Sequence, residues 1–259
     1  MAKQTGLGDN FYVAGRNFSN ATNSLQRISS PRGSLEMTGV DKFAVERKLT
    51  FRDGAIDWTS YFDPETVAGG GDYDGAHSYY STLPRTDVHV MYARGTTIGN
   101  PSAALIAKQI DYAPNRTNDG GILFSIASQA NGYGLEWGRL MTAGVRADTE
   151  ATNGTAVDFI AGTSFGLQAY LQVFSFTGTD VTIKIQESSD NDADAYADVT
   201  GGGFTEVTAG PTVERIQTAR DLAVERYLRV ATVTTGGFSE LSFAVMVVKN
   251  TAEVLFSAA

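Results

Sequence analysis

The chain has 259 residues, a formal net charge of −9, two histidines and no cysteine. That length builds one large or two medium domains with real cores, and the absent cysteine excludes disulfides, thiol catalysis and thiolate metal sites. The first 150 residues carry 14 Lys and Arg against 16 Asp and Glu and the rest 6 against 13, so acidity gathers in the second half and no basic patch offers phosphates a binding face.

The opening Met1–Gly6 lacks the apolar stretch of a signal peptide, and no run approaches the ~20 apolar residues that span a bilayer. Synthesis in a cytoplasm, with no membrane partner, is the expectation. Leu35 and Met37 alternate with Ser34, Glu36 and Thr38. Arg52-Asp53-Gly54 then stands between two alternating runs, where Asp-Gly is the strongest short-range hairpin signal because both turn residues take φ > 0. A two-residue turn there sets Phe51 opposite Ile56, Leu49 opposite Trp58 and Val45 opposite Phe62 on an oily face. The polar face then pairs Thr50 with Asp57, Lys48 with Thr59 and Glu46 with Tyr61, as a half-buried antiparallel ribbon requires. Arg47 and Ser60 interrupt the oily face at one level.

Gly69-Gly70-Gly71 reads as a flexible loop. A phosphate cradle would need Gly-Lys-Ser/Thr after it and a strand feeding the turn. From Asp72 to Leu83 the period changes, with Ala76, Tyr79, Tyr80 and Leu83 at i, i+3, i+4 and i+7. Asp72 or Asp74 caps this short amphipathic helix and Pro84 stops it. Alternation returns at 87–92 (Val88, Val90, Tyr92) and at 122–127 (Ile122, Phe124, Ile126). The small polar stretch from Leu140 to Thr155 reads as a boundary, dividing 1–150 from 151–259. Beyond it the chain is all β. Val181, Ile183 and Ile185 share one face, as do Leu241, Phe243, Val245 and Val247, and Tyr170–Gly178 is echoed by Tyr227–Gly236. Such strands with Gly-rich turns predict an antiparallel β-sandwich of jelly-roll or Ig-like type. The fold class is mainly β, with one helix flanking the first sheet.

Chemical motifs are weak. Gly162-Thr163-Ser164-Phe165-Gly166 matches a nucleophile elbow, which needs a helix after it and a later histidine. A strand-like run follows instead, no histidine does, and a turn between strands is the reading. Asp190-Asn-Asp-Ala-Asp194 spaces carboxylates as a Ca²⁺ loop does, but Ala195 and Gly201 stand where an EF-hand needs Gly and Glu. A solvated acidic loop is expected. His77 reads as a partly exposed packing residue, and His89 as a surface residue on the polar side of its strand. Asp57 and Glu46 have no cleft to make them an acid/base pair. Trp58 and Trp137 read as core or inter-subunit packing residues. The chain is expected to be no enzyme, with no catalytic residue, cofactor or metal.

Lys3-Gln-Thr-Gly-Leu-Gly-Asp-Asn-Phe-Tyr-Val13 and Thr38-Gly-Val-Asp-Lys-Phe-Ala-Val-Glu-Arg47 followed by Arg52-Asp-Gly54 carry a resemblance. So do Leu83-Pro-Arg-Thr-Asp87, Ala130-Asn-Gly-Tyr-Gly-Leu-Glu-Trp-Gly138 and the Val181–Val199 region. Together they resemble the major tail (tail tube) proteins of long-tailed, siphovirus-type actinobacterial phages. The chain departs from them at Arg16–Asn20, Gly69–Gly71 and Glu187–Asp194. The resemblance implies a tail-tube-like β-sandwich or barrel with a flanking helix, forming hexameric rings whose inner strands join into one barrel. An extended hairpin or loop reaches the next ring, and the rings stack around a tape-measure protein, with a tail terminator as a further partner. The virion tail is the implied location, and double-stranded DNA passes through the lumen without specific binding. Residues 1–150 would form the ring and 151–259 an external sandwich. Glu46, Lys48, Thr50, Asp57 and Thr59 would face the lumen or solvent, and Thr38, Asp41, Lys42, Glu46 and Arg47 would make the inter-ring contact. A DNA conduit calls for acidic or neutral walls, yet most of the negative charge lies in the half this plan places outside. The alternative is a capsid decoration or tail-surface adhesin holding host glycans through Tyr196 or Phe204, a reading that rests on fold analogy.

Overall fold

The computed structural model describes residues 5–64 and 75–253. Within them the chain forms β1 (Asn10–Val13), β2 (Arg16–Asn17), β3 (Thr22–Ser29), β4 (Arg32–Glu36), β5 (Arg47–Arg52) and β6 (Ala55–Tyr61). Helix α1 (Ala76–Tyr80) follows, then β7 (Val88–Ala93), β8 (Pro101–Arg116), β9 (Ile122–Ala130), β10 (Glu136–Leu140) and β11 (Arg146–Asp148). The remainder is β12 (Val157–Asp158), β13 (Leu167–Gly178), β14 (Thr182–Ser188), β15 (Ala197–Gly203), β16 (Thr212–Gln217), β17 (Tyr227–Val233) and β18 (Phe238–Lys249). The mainly β class holds. The Gly69–Gly71 loop and the Asp72 and Asp74 caps lie outside the described residues.

The main sheet runs β16-β13-β18-β10-β8-β7-β1-β2, with β9, β6 and β3 continuing from β8 and β11 on β18. A second sheet, β12-β17-β14-β15, packs over it. β8 is long enough to serve two neighbourhoods: its first half pairs with β7 and β10 and its second half with β9. Residues 150 and 151 fall between β11 and β12, and β18 reaches back across that point to pair with β10 and β11. One hydrogen-bonded sheet therefore runs through both parts of the chain.

β13 and β18 are buried on both faces, which is why 243–248 reads as an unbroken apolar run. Leu171, Val173, Phe243 and Val245 meet Ile183, Ile185 and Val230 of the second sheet. Tyr170, Phe174, Ala244 and Met246 face the other way, against Tyr12, Met91 and Leu140. The expected alternation of Val181, Ile183 and Ile185 is seen, all three being fully buried. A third cluster packs Phe11, Trp58, Tyr80, Phe124 and Ile126 beneath α1. Full burial of each such side chain is worth about 1.5–3 kcal/mol.

The Asp53-Gly54 hairpin does not form. β5 pairs with β4 (Leu35 opposite Lys48, Glu36 opposite Arg47) and β6 pairs with β3 (Leu25 opposite Trp58, Ile28 opposite Ile56). Thr22–Glu36 and Arg47–Tyr61 are thus the two sides of one long hairpin with its tip at 37–46. The expected pairs of Phe51, Leu49 and Val45 with Ile56, Trp58 and Phe62, and of Thr50, Lys48 and Glu46 with Asp57, Thr59 and Tyr61, are absent. Asp53-Gly54 instead lies beside Pro31, whose carbonyl accepts the Asp53 N–H at 3.0 Å. Gly54 is needed for close approach: a Cβ there would lie 2.5 Å from the Leu135 nitrogen. The two-residue turn with both φ positive occurs elsewhere, at Ala14 (51°) and Gly15 (73°) between β1 and β2. There the Gly15 N–H donates to Gln172 Oε1 at 2.6 Å, and a Cβ would meet Val173 O at 2.6 Å.

Three further expectations are corrected. Leu83 falls off the buried stripe, being exposed in a left-handed bend (φ 45°) after the short helix. Phe204 belongs to the core under the second sheet: Gly203 pairs with Lys184 of β14, and the Phe204 N–H donates to the Ile183 carbonyl at 2.9 Å. His89 is mostly enclosed, its Nδ1 buried without a hydrogen-bond partner. The Gly162–Gly166 segment is the expected turn between strands, Gly166 having φ 65° immediately before β13.

A buried ion pair ties β10 to β16. Arg215 Nη2 lies 3.0 Å from Glu136 Oε2, with side chains 3% and 2% exposed. The Tyr170 hydroxyl donates to the same carboxylate, and the Arg215 guanidinium lies 3.9 Å over the Tyr133 ring. Burial, reinforced by the Glu136 charge, pushes the Tyr170 phenol well above its usual range. Removing one member leaves a charge stranded in the interior. Arg215→Met is therefore expected to cost about 3–5 kcal/mol in denaturant unfolding, and Glu136→Leu/Arg215→Met to recover most of it.

Burial also holds the His89 imidazole down to about 4; the Asp87 carboxylate opposes the shift and Arg215 adds to it. A depressed imidazole means that the unfolded chain takes up its proton first. The His89 contribution to stability should fall as pH drops from 6.5 to about 4 and level off below, by on the order of 3 kcal/mol in all, while the Asp residues of lowered pKa carry the further loss at lower pH. Denaturant titrations across that window should show the slope in the native chain and a flatter one in His89→Gln.

Candidate assembly surface

β3, β6, β9 and the second half of β8 form a four-stranded patch whose inner face carries Trp58, Phe124 and Ile126. Strand alternation then assigns the other face. Ser24, Thr59, Ser125 and Ala113 make one row; Arg27, Asp57, Ala127 and Asp111 make the next. The residues are small or polar, and the cations on this side are held: Arg27 Nε lies 2.8 Å from Asp57, and Lys108 Nζ 2.8 Å from Asp87. The surface is close to neutral.

Both margins of this patch are open. Among the described residues no strand pairs with the outer side of β3, nor with β8 beyond Gln109 on the side away from β9. Register shifts at Asn23 and Gln26 interrupt β3, another follows Gln109, and Pro114 withholds an N–H from β8. Such devices keep open edges from pairing at random. Behind the β8 margin, His77 Nδ1 meets the Tyr112 hydroxyl at 2.5 Å and the His77 ring stacks on Phe62. His77 thus packs α1 to the patch, the role expected of it.

From this patch the β4–β5 ribbon projects as an arm. It has no sheet behind it, and Leu35, Met37, Val40, Phe43, Val45, Leu49 and Phe51 are all exposed. At the tip, Val40 (110%) and Phe43 (109%) touch almost nothing of their own chain. The base is fixed: the Ser30 hydroxyl donates to Leu135 O at 3.2 Å and Gly54 seats against Leu135.

A groove of about 1070 Å³ is lined by Trp137, Arg139, Phe159, Ile160, Phe165 and Lys249 among others. Burial pushes the Lys249 amine down to about 8, and it donates to the Ala161 carbonyl at 2.7 Å. Glu225, at the rim, is held above the usual carboxylate range by desolvation and by the Asp194 and Glu187 carboxylates.

The sequence-chosen residues separate in space. Asp57 and Thr59 share the polar face of the patch. Glu46, Lys48 and Thr50 lie on the arm, as do Thr38, Asp41, Lys42 and Arg47, where Thr38 Oγ1 accepts the Glu46 N–H at 3.1 Å and closes the tip. Trp58 is a core residue, and Trp137 is half exposed in the groove. Tyr196 lies beneath the Arg229 guanidinium at 3.9 Å. The Asp190–Asp194 carboxylates accept backbone N–H groups of their own loop. Sequence reading missed the arm and the groove. Its available signal was a pair of breakers, Ser30-Pro31 and Asp53-Gly54, which stand side by side only if the chain folds into one long hairpin.

No protein-family model and no curated protein matches the sequence. Among solved structures, a component of the virion of a native gene transfer agent particle is 12% identical over 52% of this chain and 98% of its own, at a TM-score of 0.36. The Dit (gp 19.1) protein of phage SPP1, described as a hub of adsorption apparatus, is 12% identical over 92% and 98% at 0.30. A chain of the phage p2 baseplate in its activated conformation is 8% identical over 93% and 98% at 0.33. Alignments at these scores do not establish a shared fold.

Proposed function

We propose that the chain is a structural subunit of a phage tail tube, assembling into hexameric rings that stack around a lumen through which the genome passes. The observation that carries this reading is the polar, near-neutral patch with an open strand edge at each margin. Pairing β3 of one copy with β8 of the next satisfies both margins and extends the patch into a closed barrel, which alone removes strand edges. Its inner wall would then present Ser24, Ser125, Asp57 and Asp111, with Thr59 held beneath Ser24 and Arg27 paired with Asp57, leaving few cations for DNA phosphates among the described residues.

The remaining parts follow. Residues 1–150 supply the barrel patch and the arm, while 151–259 supply the outer sandwich and the acidic exterior. Thr38, Asp41, Lys42, Glu46 and Arg47 at the arm's tip make the contact between rings, with Lys48 and Thr50 along its shaft. The resemblance noted in the sequence adds a tape-measure protein inside the tube and a tail terminator at its end. The glycan-binding alternative loses Phe204 to the core and has no specific observation in its favour.

The test is imaging of the purified chain by negative stain. Rings or hollow tubes are expected, and the variant Gln26→Pro, at a β3 position outside the β3–β6 ladder, should give monomers with unchanged circular dichroism. A native chain that stays monomeric at high concentration, or a Gln26→Pro variant that assembles normally, sinks the proposal.

A further inference from the structure

We infer that Asn131 is a site of spontaneous modification: its side-chain amide cyclises on the Gly132 backbone and hydrolyses to aspartate and isoaspartate, while the fold protects the chain's other Asn-Gly pair, Asn153-Gly154. The site does not depend on how copies assemble, and its only co-reactant is water.

The chemistry sets the requirements. The Gly132 nitrogen attacks Asn131 Cγ, so that an N–C bond forms and the Cγ–Nδ2 bond breaks. The proton of the Gly132 N–H goes to the departing nitrogen, which leaves as ammonia, and a five-membered imide remains. Water then adds to either ring carbonyl and opens it, giving an α-linked or a β-linked aspartyl residue. The attack needs a backbone N–H that is not already donating, a following residue without a Cβ in the way, and open access for water.

Asn131-Gly132, Asn153-Gly154, Asp53-Gly54 and Asp119-Gly120 share this local chemistry among the described residues. Gly154 N–H donates to the Val230 carbonyl at 2.7 Å, beside a bridge that pairs Asn153 with Ala231. Gly120 N–H donates to the Thr117 carbonyl at 3.1 Å, and Gly54 N–H to Asp53 Oδ1 at 2.7 Å. Gly132 N–H alone has no acceptor among the described residues. Space separates the two Asn-Gly pairs as well. A Cβ at Gly154 would meet Arg146 Nη1 at 2.6 Å and Val230 O at 2.8 Å, whereas nothing lies within 4 Å of that point at Gly132, where φ is 80°. Both Asn131 and Gly132 are exposed. The Asn131 N–H is bound to the Ile106 carbonyl at 2.9 Å, so the ladder holds the asparagine and leaves the next peptide unit open to water.

The product changes the local charge. Asn131 Nδ2 donates to Asp87 Oδ1 at 2.8 Å, and the same carboxylate takes Lys108 Nζ at 2.8 Å. Conversion replaces that donor with a second carboxylate, and one amine then faces two anions. A hydrogen bond becomes a like-charge contact at the start of β7.

The test is peptide mapping by mass spectrometry after incubation of the full chain in mildly alkaline buffer. Trypsin cuts at Arg139 and Arg146, so the two Asn-Gly pairs fall on different peptides. In the native chain Asn131 should convert about tenfold faster than Asn153, the factor set by one backbone hydrogen bond that must open first. In concentrated urea the two rates should converge. Equal native rates, faster loss at Asn153, or a difference that persists in urea overturns the inference. Asn131→Asp should melt below Asn131→Ala at neutral pH, with added salt narrowing the gap. Identical melting of the two variants overturns the like-charge contact.

Discussion

The ladder of β13, β18 and β10 is the constraint on which the other parts depend. β18 pairs along nearly its whole length with β13 and gives its other side to β10 and β11. Because both faces of β13 and β18 are buried, two separate apolar layers share one pair of strands. Gly138 shows how tight the junction is, since a Cβ there would come within 2.2 Å of the Val247 carbonyl. The Glu136–Arg215 pair then links β10 to β16 at an interior site. The two-sheet sandwich and the four-stranded patch are consequently joined by one continuous hydrogen-bonded sheet.

That continuity gives the open margins and the arm their meaning. A strand edge costs nothing in water but invites any other edge, so proteins guard it with bulges and proline. β3 and β8 carry such guards and still leave a stretch of ladder unspent, the compromise expected where pairing is wanted with one partner only. The arm applies the same logic to apolar surface. Seven large apolar side chains stand on a ribbon with no core behind it, interleaved with charges of both signs. A free ribbon of two strands is marginal in water, and in the proposed assembly the neighbouring copy supplies the missing layer.

Local pattern was enough for much of the fold. Strict alternation at Val181, Ile183 and Ile185 and at Val88 and Val90 identified buried strand faces, and the Tyr79–Tyr80 spacing identified α1. It failed where a long-range partner outcompeted a nearby one. Asp53-Gly54 has the chemistry of a tight turn, but that turn would pair only β5 with β6. The long hairpin instead gives β6 two neighbours, β3 and β9, and lets Trp58 and Ile56 reach the core. The same error made Leu49 and Phe51 look like core residues, because periodicity records that a face is oily and not whose interior it enters. His89 was misplaced for a related reason: its strand is covered on both sides, which alternation with Asp87 does not reveal. Trp137, Phe159, Ile160 and Phe165 come from three chain segments, so no window of sequence could have shown their groove.

Charge adds the last constraint. On the arm basic residues exceed acidic ones, although the chain as a whole carries a net charge of −9. Copies meeting side by side, acidic sandwich to acidic sandwich, repel over a Debye length of about 8 Å at physiological salt. Electrostatics of this kind acts more on orientation and encounter than on final affinity. If the chain assembles as proposed, the acidic half would disfavour lateral contact between neighbouring assemblies.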